Sequence, residues 1–266
     1  MNKKAITFSA ILVTILICSF WASALHLKNN VDTSPAKNVE SVDLATQTVI
    51  SENLLIESNI QFSNKELNLN SYYFDGNRLY ISVTSEKSKS LTDFNLNSFY
   101  INSKSYKKRA DIIYNSKELE AITGEKTSFA LVIFNSFKYD EQNKYYVSYN
   151  DSHTKEFFIK GNIAKHKNIE TVNEEMTFNF AEFGTTSTVI NCNIDAFIED
   201  SSFKFKTKDN ICTAYLIKKS GNNYSFLIPM KLNEASQGYL IANDENGNVK
   251  LREVVSFKSN DSDEIL

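Results

Sequence analysis

Side-chain catalysis needs a nucleophile, a base or a metal ligand at set spacing, and the candidates in this chain are few. Its three histidines, His26, His153 and His166, are scattered. None belongs to a His-x-x-x-His pair, the chain has no Cys-x-x-Cys, and neither Gly-x-Ser-x-Gly nor Gly-x-Gly-x-x-Gly occurs. Adjacent carboxylates, Glu174-Glu175 and Glu199-Asp200, would point to opposite faces of a strand, so they read as solvated loops rather than an acid/base pair. Asn243-Asp244-Glu245-Asn246-Gly247-Asn248 has the oxygen-rich character of a calcium loop but lacks a bidentate glutamate at the required distance, and it reads as a turn. No catalytic, cofactor-binding or metal-binding residue is therefore expected, and no cofactor.

Three other groups merit placement. Cys192 and Cys212 alternate with apolar residues in Ile190-Cys192-Ile194 and Cys212-Ala214-Leu216, so both are expected to face one core. Outside the cytoplasm that permits a disulfide, worth about 3 kcal/mol for a loop of roughly 20 residues; two buried thiols that never meet is the alternative. Tyr145 and Tyr149 share a strand face with Val147 between them, and they offer either an aromatic contact surface or part of a core. Lys104-Ser105-Tyr106-Lys107-Lys108-Arg109 and the run Lys204 to Lys208 are short basic clusters, read as solvated strand ends or as contacts for an anionic polymer or headgroup.

The elements that must hold these groups follow from composition and periodicity. The chain is 42% hydrophobic and 12% aromatic, enough for a core. Gly (7) and Pro (2) are scarce, so Asn, Asp and Ser must make the turns. Net charge is −3 with both signs mixed, which lacks the concentrated basic face a nucleic-acid partner demands.

The first residues set the compartment. Lys3 and Lys4 precede an uncharged apolar run from Ala5 to Leu25, and Ala22-Ser23-Ala24 has the small-x-small form of a cleavage site. The run is about as long as the roughly 20 residues that span a bilayer, so it reads as a signal peptide or a membrane anchor. Either leaves the rest extracytoplasmic, secreted or membrane-anchored, with the cytoplasmic membrane as a partner through this segment. Cys18 follows bulky Ile17 and reads as a small hydrophobe within that run.

Beyond it, residues 28–45 are polar and patternless, a flexible tether with a short helix near Val39 to Thr48. Period-two alternation then predicts strands: Ile56 to Phe62, Leu67 to Phe74, the turn Asp75-Gly76-Asn77, and Arg78 to Thr84. Ser128 to Phe134 is apolar on both faces and should be a covered central strand. Tyr145 to Tyr149 and Glu156 to Ile159 complete the set. Residues 161–172 are polar and aperiodic, a linker to a second strand-rich unit over 173–258 in which Asn246-Gly247 and Gly221-Asn222-Asn223 make hairpins. Residues 259–266 form a charged, disordered tail.

A turn Asp75-Gly76, the strand Leu79-Tyr80-Ile81-Ser82-Val83, Asp93-Phe94-Asn95-Leu96 leading to Phe99-Tyr100-Ile101 and Tyr106, the turn at Ile122 to Thr127, then Phe129 to Phe134 and Tyr145-Tyr146-Val147 occur in that order. Residues 56–159 thereby resemble the immunoglobulin-like extracellular domain of Gram-positive membrane-anchored proteins and lipoproteins. The resemblance implies a structural or binding role and carries over no catalytic residue.

The expected fold is all-β, two immunoglobulin-like β-sandwich domains (46–160 and 173–258) after an N-terminal signal or anchor helix over 1–27. The expected function is a non-enzymatic, exported cell-envelope binding module whose partner is an envelope protein or polymer. An envelope enzyme with a cleft at His153 or His166 plus two carboxylates, or a sensor acting through a partner, are the other classes.

Overall fold

In the computed structural model the described residues are 42–85, 94, 98–172, 175–195, 198 and 201–257. The expected signal or anchor, nearly all of the tether and the tail lie outside them. No helix among the described residues is long and apolar enough to cross a membrane.

The described residues are mostly β, in four antiparallel sheets without a closed barrel among them. The first sheet has the order β1 (Ile56–Gln61), β2 (Leu67–Phe74), β3 (Arg78–Ser85), β7 (Ala130–Asn135) and β6 (Ile112–Tyr114). Facing it are β5 (Lys107–Arg109), β4 (Phe99–Asn102), β8 (Tyr146–Tyr149) and β9 (Ser152–His153). Alternation decides what lies between them. Leu79, Ile81 and Val83 of β3 and Val132 and Phe134 of β7 meet Phe99, Ile101 and Val147 in one core. A bulge between Leu69 and Ser71 shifts the phase of β2, which is how Leu69 and Tyr72 reach the same core.

The other face of the first sheet is covered by two short helices. Tyr80, Leu131 and Ile133 pack there against Val49 of α1 (Leu44–Ser51) and Leu119 of α2 (Ser116–Thr123). Strand β7 is thus buried on both faces, as its unbroken apolar run requires. Asp43 caps α1, its carboxylate accepting from Thr46 N at 2.9 Å. In α2, Asn115 and Glu118 form a reciprocal capping box, and Gly124 closes the helix at φ +68°.

A second sheet pair repeats the plan. Strands β10 (Lys165–Val172), β11 (Met176–Phe183), β12 (Thr188–Ile194), β16 (Asn223–Ile228) and β15 (Tyr215–Ser220) face β14 (Ile211–Thr213), β13 (Ser202–Lys206), β17 (Gln237–Asn243) and β18 (Val249–Ser256). Phe178, Ile190 and Phe226 of one sheet meet Phe205, Leu240 and Val255 of the other in a single core.

Several expectations are corrected. The segment taken as linker is mostly strand: β10 pairs with β11 along its length, polar because it is an edge, with Ile169 buried on its inner side. Glu156 to Ile159 is no strand and contributes one bridge, Tyr145 to Phe157. The stretch from Tyr106 to Ile122 holds β5, β6 and α2. Asn246-Gly247 lies in a five-residue connection from Asp244 to Asn248, because Asp244 accepts from both Asn246 N and Asn248 N and widens the turn.

One polar knot joins the sheet pairs, and a second beside it ties α1 to the first of them. The turn Asp75-Gly76-Asn77 links β2 to β3, and the Asp75 carboxylate is fully buried with four donors. Oδ1 accepts from Asn77 N (2.8 Å) and Arg78 N (2.6 Å), holding the turn. Oδ2 accepts from Thr186 Oγ1 (2.6 Å) and Ser187 Oγ (2.7 Å), which lie between β11 and β12. Approach is close enough that a Cβ on Gly184 would sit 2.7 Å from Asp75 O, and one on Gly76, at φ +106°, 2.7 Å from Ala164 N.

The second knot is Arg78, whose side chain is fully buried. Its Nη1 and Nη2 donate to the two Asp43 oxygens at 3.0 and 2.9 Å, and Nε donates to Asn135 Oδ1 at 2.7 Å. Burial opposes the charge on Asp43, and the Arg78 guanidinium outweighs it, leaving Asp43 below its ordinary value. Arg78→Met should therefore cost about 3–5 kcal/mol in urea unfolding, since it strands a buried carboxylate. Adding Asp43→Asn should recover more than half of the loss; an additive double variant would refute the coupling. Because the folded value of Asp43 is depressed, its contribution is complete above the unfolded value near 3.8 and disappears as pH falls below it. The stability gap between wild type and Asp43→Asn should shrink over that same acid range.

Candidate functional site

Residues of two edge strands, β6 of the first sheet pair and β15 of the second, line one groove of about 530 Å³. Tyr106, Lys107 and Lys108 of the first basic cluster, with Asp111 and Ile112, line one side; Tyr215, Leu216 and Ile217 line the other. Asn135, Ser136 and Lys138, in and after β7, complete the lining. A bulge between Leu216 and Lys218 takes Ile217 out of the ladder. Ser136 adopts φ +50°, an uncommon conformation for a residue with a Cβ, at the point where the chain leaves β7.

Electrostatically the groove is cationic with an apolar wall. Lys108 Nζ lies 3.2 Å from Asp111 Oδ2, an oxygen that also accepts from Asn135 N at 2.8 Å. Asp111 is therefore committed to holding local structure. Lys107 Nζ stands 4.4 Å above the Tyr100 ring. Lys138 is exposed, and its backbone N donates to Tyr106 Oη at 3.4 Å. Burial pushes the Tyr106 hydroxyl up to about 12, so it stays protonated and serves as a neutral hydrogen-bonding wall. Leu216 is 44% exposed, a large apolar side chain left open at the mouth. Behind the groove, the Tyr215 ring lies 5.9 Å from the buried Arg78 guanidinium. Its walls are tied to the knot that fixes α1, β3 and β7.

The other residues singled out in sequence land elsewhere. Tyr145 is 1% exposed and belongs to the first core, its hydroxyl accepting from Asp140 N at 2.9 Å. Tyr149 stacks on Phe99 at 4.3 Å between centroids. The aromatic contact surface is therefore corrected to core packing, since Tyr145, Val147 and Tyr149 share the inward face of their strand. Cys192 is buried and Cys212 half-buried against the same core, but both are free thiols. They sit on opposing sheets, and Cys212 Sγ instead lies 3.8 Å from Phe205 O. Burial pushes each thiol up to about 12.

The two described histidines, His153 and His166, are surface residues. His153 borders a cavity of about 730 Å³ in which Glu156 is the one lining carboxylate, and its ring meets Tyr146 edge-on. His166 Nδ1 lies 3.6 Å from Glu182, with Lys165 and Lys167 beside it paired to Glu234. Among the described residues no cluster of three His, Cys, Asp or Glu has the spacing of a metal site. The second basic run, from Lys204, falls on β13, and none of its lysines lines the groove.

No protein-family model matches the chain, and no curated protein matches it. Among solved structures it is similar to a conserved domain protein from Bacillus anthracis, 16% identical with a TM-score of 0.38, over 85% of this chain and 89% of that one. It is also similar to pullulanase type I from Bacillus subtilis str. 168, complexed with maltose, 10% identical with a TM-score of 0.23, over 76% of this chain and 27% of that one. At these scores neither likeness assigns a fold or an activity.

The thiols supply a direct check. Alkylation in denaturant without reductant should label both Cys192 and Cys212, whereas the native protein should react slowly at pH 8, because few thiolates form when the groups titrate near 12. A peptide map joining the two residues would overturn the free-thiol assignment.

Proposed function

We infer that this chain is an exported cell-envelope protein that works outside the cytoplasmic membrane as a non-enzymatic binding module, built on two immunoglobulin-like sandwiches. The observation that carries the reading is the groove: its walls come from both sheet pairs, and the buried Asp75 carboxylate holds those sheet pairs together. Rigid walls suit recognition, since a ligand then meets groups already in place. An exposed leucine beside Lys107, Lys108 and Lys138 suits a ligand with an apolar part and a negative one. The apolar, lysine-led start of the chain supports export. The enzyme reading asked for a histidine with two carboxylates in one cleft, whereas the cavity at His153 is lined by Glu156 alone of that type.

The test uses the full chain in neutral detergent, its melting temperature followed against fractions of an envelope extract. A fraction holding the ligand at about 100 times its Kd should raise the melting temperature by about 5–10 °C. Leu216→Glu with Lys138→Glu should abolish that rise, while Ile163→Glu, at a residue 79% exposed, should keep it. Equal shifts in all three proteins would remove the groove from the argument, and a carboxyl-terminal reporter active only in the cytosol would remove export.

A further inference from the structure

Strand β13 alternates Phe203 and Phe205, which enter the second core, with Lys204 and Lys206, which face out. The register of the sheet fixes their neighbours. Lys206 stands between Ile211 and Tyr239, and Lys204 is beside Ile241, which is beside Arg252. These six share the outer face of the sheet, in two adjoining rows. Ile211 is 56% exposed and Tyr239 37%, so apolar surface stays open between the cations. The Arg252 guanidinium lies 4.7 Å over the Tyr239 ring, which holds it flat on the sheet.

The charge on this face is one-sided. No carboxylate occupies either row among the described residues, and Glu253 belongs to the opposite side, paired in register with inward Leu240. The turn after β13 carries Lys208 and Asp209, which cancel. Neither Lys204 nor Lys206 forms an ion pair with a described residue. A protein of net charge −3 thus gathers three cations on one flat sheet face.

Spacing selects the occupant. Lys206 and Lys204 are two residues apart, about 7 Å, and Lys204 to Arg252 crosses two strand spacings, about 10 Å. The two steps are at right angles, so Lys206 and Arg252 stand about 12 Å apart, too far for one small anion to bridge and suited to a chain bearing repeated charges. Between the cations Tyr239 is 37% exposed and Ile241 half-buried, a small apolar area that suits a flexible polymer laid across it better than insertion into a bilayer.

We propose that the outer face of the β14-β13-β17-β18 sheet binds an extended polyanion, a linear phosphate-bearing polymer, along Lys206, Lys204 and Arg252. This surface is separate from the groove and stands whether or not the groove holds a ligand.

The experiment measures binding of long-chain inorganic polyphosphate to the full chain in neutral detergent. Neutralising three charges on a flexible chain gives a slope of about −0.7 per contact in log affinity against log salt, so affinity should fall roughly 20-fold between 50 and 200 mM salt. The variant with Lys204→Gln, Lys206→Gln and Arg252→Gln changes only exposed side chains and should lose at least 10-fold and most of the salt slope. The Leu216→Glu, Lys138→Glu groove variant should bind the polymer as wild type does. The proposal fails if orthophosphate competes as well as the polymer at equal phosphate, which would mean a single-ion site. It also fails if vesicles rich in anionic lipid are captured while the polymer is not, or if the groove variant alone loses the polymer.

Discussion

A fully buried arginine organises this molecule. Moving a guanidinium out of water carries a penalty of several kcal/mol that only a paired and hydrogen-bonded partner offsets. Arg78 finds that partner only when three elements converge: Asp43 at the cap of α1, Asn135 at the end of β7 and Tyr80 on its own strand. Against well-packed apolar residues such a pair adds little net stability, but every misplacement of α1 leaves two charges stranded. The pair therefore acts on arrangement. It fixes the helix over one face of the central sheet, and with it the backbone contact from Ala45 N to Pro229 O that reaches the second sheet pair.

The turn one residue earlier extends the same constraint. Asp75 uses one oxygen for its own hairpin and the other for hydroxyls 111 and 112 residues away. A turn residue chosen by local chemistry thereby becomes the joint between the sheet pairs, and Gly76 and Gly184 are glycine because the backbones approach there too closely for a Cβ. A connection that reads as a polar linker is an edge strand instead. An edge strand has one buried face and one neighbour, so its composition is nearly that of a loop.

The groove inherits its shape from this joint. Its walls include one edge strand of each five-stranded sheet, β6 and β15, and its rear is Tyr215 beside the buried guanidinium. Lysines of the 104–109 cluster and Lys138 meet Leu216 there although they lie far apart in sequence. The second basic run lies on the outer face of another sheet, because alternation with Phe203 and Phe205 forces its lysines outward.

Local chemistry was legible in the residues themselves. Period-two alternation identified most strands and told which side chains share a face, as with Tyr145, Val147 and Tyr149 or Lys204 and Lys206. The doubly apolar run of β7 declared a covered strand, and Asp75-Gly76-Asn77 declared a turn. The capping box Asn115-x-x-Glu118 was equally readable and marks α2, a helix that a strand-minded reading passes over. What only the tertiary structure decided is which shared face turns inward, which edges meet, and which polar groups find partners. Alternation is blind to the choice between core and surface for Tyr145, to the separation of Cys192 and Cys212 on opposing sheets, and to the burial of Arg78. Those outcomes depend on contacts between residues tens to more than a hundred positions apart, and no local preference encodes such contacts.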